Sequence, residues 1–264
     1  MIKIINIMPK TYLYKFYLTN NISTSFHMAM AHLILEDDRY LEWSKEQKNL
    51  GRYIILDNSA PYFGRALDNE SLFKCINMIN PDEIVLPDVI GDFKETVNRS
   101  LSFLKELEKV DLRIMAVPQG NSLEEYIECY KIFSSDDKIN VLGIPYTINN
   151  IFSEIPKGNV SGREYLLKLL NQKGMLNPKK IHHLLGFGDS GHIELKKLSR
   201  FSFIRSCDSN LAYLTAKTDI EFNERVNYKK PKLVMDFKEG FNELFYKSII
   251  KNAKTLSKLG GHNV

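Results

Sequence analysis

The sequence predicts an α/β chain folded as a (β/α)8 barrel, a TIM barrel, on three observations. Short apolar runs alternate with amphipathic or charged segments along most of the chain, the pattern of repeated parallel strand and helix units. Eight such runs can be counted, and 264 residues match the roughly 250 of a single barrel. Four of the runs stop at a polar residue: Tyr53 to Leu56 before Asp57, Ile84 to Pro87 before Asp88, Ile114 to Pro118 before Gln119, and Phe203 to Cys207 before Asp208. Strand C-termini share one rim in a barrel, so Asp57, Asp88, Gln119, Gly143, Gly186 and Asp208 are expected to converge. An open doubly wound sheet competes, but no GxGxxG turn anchors it.

The first strand falls within residues 2–8. Thr11 to Ser25 is aromatic and polar without clear period, and is expected as loop or a short helix. Phe26 to Ile34 is expected as a strand, and Glu36 to Leu50 as a helix stopped by Gly51. A strand over 53–57 precedes a loop with Pro61 and Gly64, then a helix from Asn69 to Asn80 that Pro81 closes. The strand over 83–88 leads to Gly91-Asp92, where Asp92 suits the N-cap of a helix reaching Val110. Arg113 to Pro118 forms the next strand, before Gln119-Gly120 and a helix opened by Asn121 or Ser122. Ile139 to Leu142 ends at Gly143-Ile144-Pro145-Tyr146, and residues 147–162 read as irregular. A helix from Arg163 to Gln172, a strand from Ile181 to Leu185, a helix from Ser190 to Leu198 and a strand from Phe201 to Arg205 that delivers Asp208 complete the pattern. Residues 1–216 are therefore expected as the barrel, and 217–264 as a C-terminal helical extension packed on it.

The composition, 44% hydrophobic and 26% charged, is that of an ordinary globular protein. No run approaches the roughly 18 apolar residues of a membrane span, so no membrane partner is expected. The N-terminus reads as a strand without a cleavage site, and the expected location is the cytoplasm. Cys75, Cys129 and Cys207 are too widely spaced for a metal knuckle and read as buried structural thiols. The net charge of +4 is mild. Lys217, Arg225, Lys229, Lys230 and Lys232 crowd the segment after Asp208, and Lys247, Lys251, Lys254 and Lys258 follow; a solvated face is favoured over a phosphate contact.

Carboxylates gathered over a pocket suit chemistry at a glycosidic carbon, where one attacks the anomeric carbon and another group manages the proton. Metal hydrolysis is the rival, from His27, His32, His182, His183 and His192. His182 and His183 open a strand and point to opposite faces, His192 falls in a helix, and no HExxH pattern exists, so no metal and no cofactor is expected. The Gln119 amide both donates and accepts. Asp88 can take the N1–H and exocyclic amine of a purine while Gln119 and the Gly143 N–H meet its carbonyl. Buried polar groups of this kind reject bases that leave them unpaired. Each residue also has a purely structural reading: Gln119 as a loop amide capping the next helix, Asp88 as a turn residue, Asp57 in an Asx-turn, and Asp189 or Asp208 as helix caps.

Taken together, these segments resemble the tRNA-guanine transglycosylase superfamily, and within it the shorter phage and bacterial branch of 7-deazaguanine DNA transglycosylases, DpdA. Leu56-Asp57-Asn58-Ser59-Ala60 resembles the family's Asp-Ser-Gly-Gly segment, and Leu86 to Asp92 its base-recognition strand. Val117-Pro118-Gln119-Gly120 is similar to its Val-Gln-Gly motif, and Gly143-Ile144 stands where the family has a base-contacting glycine. His183-Leu184-Leu185-Gly186-Phe187-Gly188 is similar to Leu-Met-Gly-Val-Gly, and Cys207-Asp208-Ser209 to the nucleophile strand. The resemblance spans Tyr53 to Ala216. It implies base exchange through a covalent glycosyl-enzyme ester on Asp208, with Asp57 moving the proton. Asp88, Gln119 and Gly143 would hold the base, Leu185 with Phe63 or Tyr62 would sandwich it, and Ser59 and Gly186 would line its pocket. The implied partners are DNA, as the source of the target guanine, and a free 7-deazaguanine such as preQ0; a homodimer is allowed. Two departures stand out: Ser59 and Ala60 replace paired glycines, and the zinc subdomain of the tRNA enzymes is absent. The alternatives are the same exchange on tRNA, a barrel that binds nucleic acid or a modified base without turnover, and a glycoside hydrolase, for which a single tryptophan, Trp43, gives little sugar-stacking surface.

Overall fold

The computed structural model describes residues 1–18, 25–107, 111–148, 161–187, 193–222 and 231–262. Gly188, Asp189, Ser190, His192, Arg225, Lys229 and Lys230, singled out above, lie outside the described residues, as does most of the stretch expected to be irregular. Eight strands form one sheet: β1 (Lys3–Asn6), β2 (Phe26–Met30), β3 (Tyr53–Asp57), β4 (Glu83–Val85), β5 (Arg113–Ala116), β6 (Val141–Pro145), β7 (Ile181–Leu185) and β8 (Ile204–Ser209). Their order is β1-β8-β7-β6-β5-β4-β3-β2, a nearly closed (β/α)8 barrel with helices between the parallel strands. The strands are near-continuous apolar runs because a parallel sheet is covered on both faces. The chain divides into two compact units, one of Met1–Thr24, Pro145–Leu176 and His183–Val264, the other of Ser25–Ile144 and Asn177–His182.

In the second unit β2 pairs β3 from Phe26↔Tyr53 to Met30↔Asp57. The apolar run 26–34 is therefore split: β3 ends at Asp57, so beyond Met30 the chain has no ladder partner there, and it turns into the helix Ala31–Glu36. Asp37 starts the helix Asp38–Asn49 by accepting from the N–H groups of Arg39 and Tyr40. Asp68 does the same for Asn69–Ile79, Asp92 for Phe93–Glu106 and Ser122 for Leu123–Ser135. These side chains satisfy donors that a helix N-terminus leaves open.

In the first unit the stretch after β1 holds a helix, Lys10–Tyr17. β8 is displaced from the expected 201–205. Phe201 to Phe203 form a turn, with Ile204 N–H on the Phe201 carbonyl at 3.1 Å, and pairing with β1 runs from Lys3↔Ser206 to Asn6↔Ser209. Asp208 is thus inside the strand, opposite Ile5, rather than beyond its end. β6 runs on through Gly143 to Pro145, and just beyond it the Tyr146 N–H meets the Leu185 carbonyl at 3.0 Å.

The last helix, Glu243–Leu259, buries Tyr246, Ile249, Ala253 and Leu256 on one face, the spacing of an amphipathic stripe, and packs on the short helix Leu211–Ala216. Residues 217–222 and 231–242 carry no helix or strand. Two lysines of this region meet carboxylates, Lys217 with Glu239 and Lys251 with Glu221. Asn252, fully buried, donates to Thr215 Oγ1 at 3.0 Å and to the Ile220 carbonyl at 2.9 Å, and accepts from the Phe222 N–H at 2.8 Å. Asn252→Ala leaves buried backbone groups unpaired and is expected to cost about 2–3 kcal/mol, read as a lower midpoint in urea unfolding with an unchanged slope.

Candidate functional site

The polar residues predicted from the sequence form two clusters, one in each unit. In the second unit Asp57 closes β3 and is buried. Its Oδ2 accepts from the Ser59 N–H at 2.9 Å, an Asx-turn bond. Ser59 has φ +67°, a left-handed conformation that costs a non-glycine residue about 1 kcal/mol or more. Its hydroxyl helps to hold that turn: the His32 backbone N–H reaches Oγ at 3.1 Å and the His32 ring Nδ1 lies 2.9 Å from it. Burial pushes the His32 ring below its ordinary pKa, against the pull of Glu36. Tyr62 and Phe63 sit on that ring, with centroids at 4.7 and 5.7 Å, and both are exposed. The Ser59 side chain is therefore turned inward, while the two aromatic rings face solvent.

Asp88 lies just after β4, buried. Asn58 Nδ2 donates to its Oδ1 at 2.7 Å and Gln119 Nε2 to its Oδ2 at 2.6 Å. Gln119 Oε1 accepts from the Gly91 N–H at 3.2 Å, and Asn58 also donates to the Leu86 carbonyl at 2.6 Å. Both polar ends of Gln119 are thus engaged; the helix after it is capped by Ser122 instead. Desolvation raises the Asp88 pKa from 3.8 to about 6, with the two amides pulling the other way. One unit above its pKa, near pH 7, the group is still about ten to one ionised. Asn58 is a member of this cluster that the sequence reading passed over; its place between Asp57 and Ser59 was the only signal. Gly143 is buried within β6.

In the first unit Asp208 keeps 16% of its side-chain surface exposed. Oδ1 accepts from His183 Nε2 at 3.1 Å and from the Gly186 N–H at 3.2 Å; Oδ2 meets no donor among the described residues. The next helix takes its hydrogen bond from Ser209, whose Oγ accepts from the Leu211 N–H at 2.9 Å, so Asp208 does not cap it. Gly186 has φ +65°, and a Cβ there would lie 2.9 Å from the Tyr146 ring. Only glycine lets this amide turn onto Asp208. Leu185, half-buried at the end of β7, offers its carbonyl to Tyr146 and, at 3.5 Å, to Arg163 Nη1. Arg163 and Glu194 form an ion pair with no exposure on either side, and Arg163 Nε donates to Glu194 Oε1 at 3.2 Å. His183, weighed in the sequence only as a metal ligand, and Ser206, unnoticed there, are both fully buried beside Asp208.

His182, on the other face of β7, meets the Tyr130 hydroxyl at 3.0 Å, and burial lowers its pKa to about 4. Neighbouring histidines therefore serve different partners, as strand alternation requires. Among the described residues no three His, Cys, Asp or Glu side chains come together as a metal site. The three cysteines are buried and unbridged. No helix among the described residues is long and apolar enough to cross a membrane.

No protein-family model matches the chain, and no curated protein does. Among solved structures, RipC from Yersinia pestis is similar over 79% of this chain and 89% of its own, at 14% identity and a TM-score of 0.41. An HpcH/HpaI aldolase from Desulfitobacterium hafniense DCB-2 is similar over 82% of this chain and 88% of its own, at 10% identity and a TM-score of 0.51. The second likeness agrees with the barrel fold, and at that identity it speaks to fold alone.

Two measurements probe these clusters. Arg163→Met leaves Glu194 buried without its counter-charge and is expected to cost about 3–5 kcal/mol in chemical denaturation, most of it recovered when Glu194→Leu is added. Asp88 binds its proton more tightly in the folded than in the unfolded chain, because its folded pKa near 6 lies above the ordinary 3.8. The stability gained from that proton is complete below about pH 3.8 and is lost as pH rises through 6. Relative to Asp88→Asn, which does not titrate there, the wild-type protein should lose up to about 3 kcal/mol between pH 4 and 7.

Proposed function

We propose that the protein is a pentosyltransferase that exchanges guanine in DNA for a 7-deazaguanine base such as preQ0. The observation that carries this reading is the Asp208 carboxylate, tethered through Oδ1 by two N–H donors while Oδ2 meets no donor among the described residues. A nucleophilic carboxylate needs one oxygen fixed and the other unobstructed. In the first displacement Oδ2 attacks C1′ of the target guanosine; the C1′–N9 bond breaks, and the base leaves with its electron pair and takes up a proton. In the second, N9 of the incoming base attacks C1′ and Oδ2 departs, so the carboxylate is restored and no cofactor is consumed. Asp57 is assigned both proton transfers, giving one proton to the departing base and regaining one from N9–H of the incoming base.

The base is assigned to Asp88, with its flanking amides from Asn58 and Gln119 and the Gly143 N–H. An ionised Asp88 accepts from the N1–H and exocyclic amine of guanine, a pattern that 7-deazaguanines share and adenine lacks. Gln119 would have to exchange its bond to Asp88 or to Gly91 for one to the base. Ser59 supports the resemblance in one respect: where the family has glycine, this residue adopts the left-handed backbone that glycine favours. The exposed rings of Tyr62 and Phe63 suit stacking against a nucleobase. The target nucleotide must leave its stack for C1′ to be reached, and phosphate contacts would weaken binding as salt rises.

The test is to incubate the purified protein with labelled guanine and, separately, duplex DNA, single-stranded DNA or tRNA, and to count label retained in polymer. Label is expected in DNA and not in tRNA, and Asp208→Asn should lower incorporation by about a thousandfold or more while still binding DNA. Label in tRNA alone would move the protein to the tRNA-modifying reaction. DNA binding without incorporation into any polymer would favour a barrel that holds nucleic acid without turnover.

A further inference from the structure

The hydrogen bonds behind Asp208 form a directed chain. Arg205 Nε can only donate, and it lies 3.1 Å from Ser206 Oγ. Ser206 Oγ therefore accepts there and has its own proton to place. The one acceptor within its reach among the described residues is His183 Nδ1, at 2.8 Å. With Nδ1 accepting, the neutral imidazole carries its proton on Nε2, and that proton faces Asp208 Oδ1 at 3.1 Å. A doubly protonated ring would set two donors, Nδ1–H and Arg205 Nε–H, against one hydroxyl oxygen and leave the hydroxyl proton without an acceptor. Ring and hydroxyl are fully buried, so water does not relax this assignment.

We infer that His183, locked as the Nε2–H tautomer by Ser206 and Arg205, is a positioning residue that fixes Oδ1 of Asp208 and leaves Oδ2 as the reacting oxygen. The inference rests on the base-exchange reading for its catalytic consequence and on the hydrogen-bond chain for its geometry. With the Gly186 N–H, the His183 N–H makes a two-donor pocket at the oxygen that does not bond to C1′. When the ester forms through Oδ2, Oδ1 becomes its carbonyl oxygen. When the incoming base displaces the carboxylate, negative charge returns to a group already faced by two donors, and no reorganisation is needed at that moment. His183 thus favours the step that releases the glycosyl-enzyme, besides orienting the one that forms it.

Two variants and one spectrum test this. His183→Leu keeps the bulk and removes the donor; His183→Gln places an amide N–H near the position of Nε2. His183→Leu is expected to slow turnover of base exchange by about ten- to a hundredfold, the worth of a hydrogen bond to a charged group, with the KM for DNA changed by less than about threefold. His183→Gln should recover most of that loss, and thermal unfolding of both variants checks that each folds. Long-range 1H–15N spectra of the histidine-labelled wild-type protein, assigned by the signal that His183→Gln removes, should show the ring proton on Nε2. A proton on Nδ1, a His183→Leu variant as fast as wild type, or equal losses in the two variants would each overturn the inference. If the wild-type protein exchanges no base at all, the base-exchange reading fails, and the spectrum alone then upholds or overturns the tautomer lock.

Discussion

A carboxylate at the end of a buried parallel strand must be supplied with donors, and much of the local structure follows from how each of three aspartates obtains them. Asp57 accepts from its own turn, through the Ser59 amide, where the chain bends into a left-handed residue. Asp88 takes two from side-chain amides, Asn58 on the preceding strand's loop and Gln119 on the following one. Asp208 takes one from a ring on β7 and one from the backbone of Gly186. Desolvation would penalise each charge. At Asp88 burial outweighs the two amides, the backbone hydrogen bond and the charge of Arg99, and the pKa rises to about 6.

The fold was largely legible because its signals are local. β3 and β7 begin and end where the apolar runs do, and Asp92 and Ser122 cap the helices that their positions announce. Errors fell where an element's length is set by a partner far along the chain. β8 starts late because β1 pairs with Ser206 to Ser209, and β2 stops at Met30 because β3 stops at Asp57. No window of sequence carries that information. The site was legible in the same uneven way. Acidic residues at strand ends drew attention, whereas Asn58 and Ser206 did not and His183 did so only as a metal ligand, since their importance lies in contacts across 23 to 30 positions of chain.

The barrel itself constrains chemistry little, since one barrel hosts many reactions, and likeness to an aldolase at 10% identity leaves the reaction to be argued from side chains. Here the argument turns on which atoms are occupied. Asp208 has one oxygen engaged and one open; Gln119 has both ends engaged. Under the proposed base exchange the nucleophile is ready before substrate arrives, whereas a base-reading amide already paired must trade one partner for another.

Near its two described ends the chain is knotted to itself by hydrogen bonds. The Ile2 N–H donates to the Gly260 carbonyl at 2.7 Å, His262 Nε2 meets the Ile2 carbonyl at 2.9 Å, and a Cβ on Gly260 would press to 2.6 Å against that same oxygen. β1 also rests on β8 and on the last helix. On a ribosome, β1 is therefore made well before the residues that hold it. The unit that is nearly continuous, residues 25–144, can acquire its contacts as it emerges. The unit assembled from three separated segments must hold β1 without its ladder partner until Ser206 to Ser209 have been synthesised. Long loop closures of this kind slow folding, and an unpaired strand edge in the interval invites aggregation. Expression at low temperature or with chaperones guards that waiting strand.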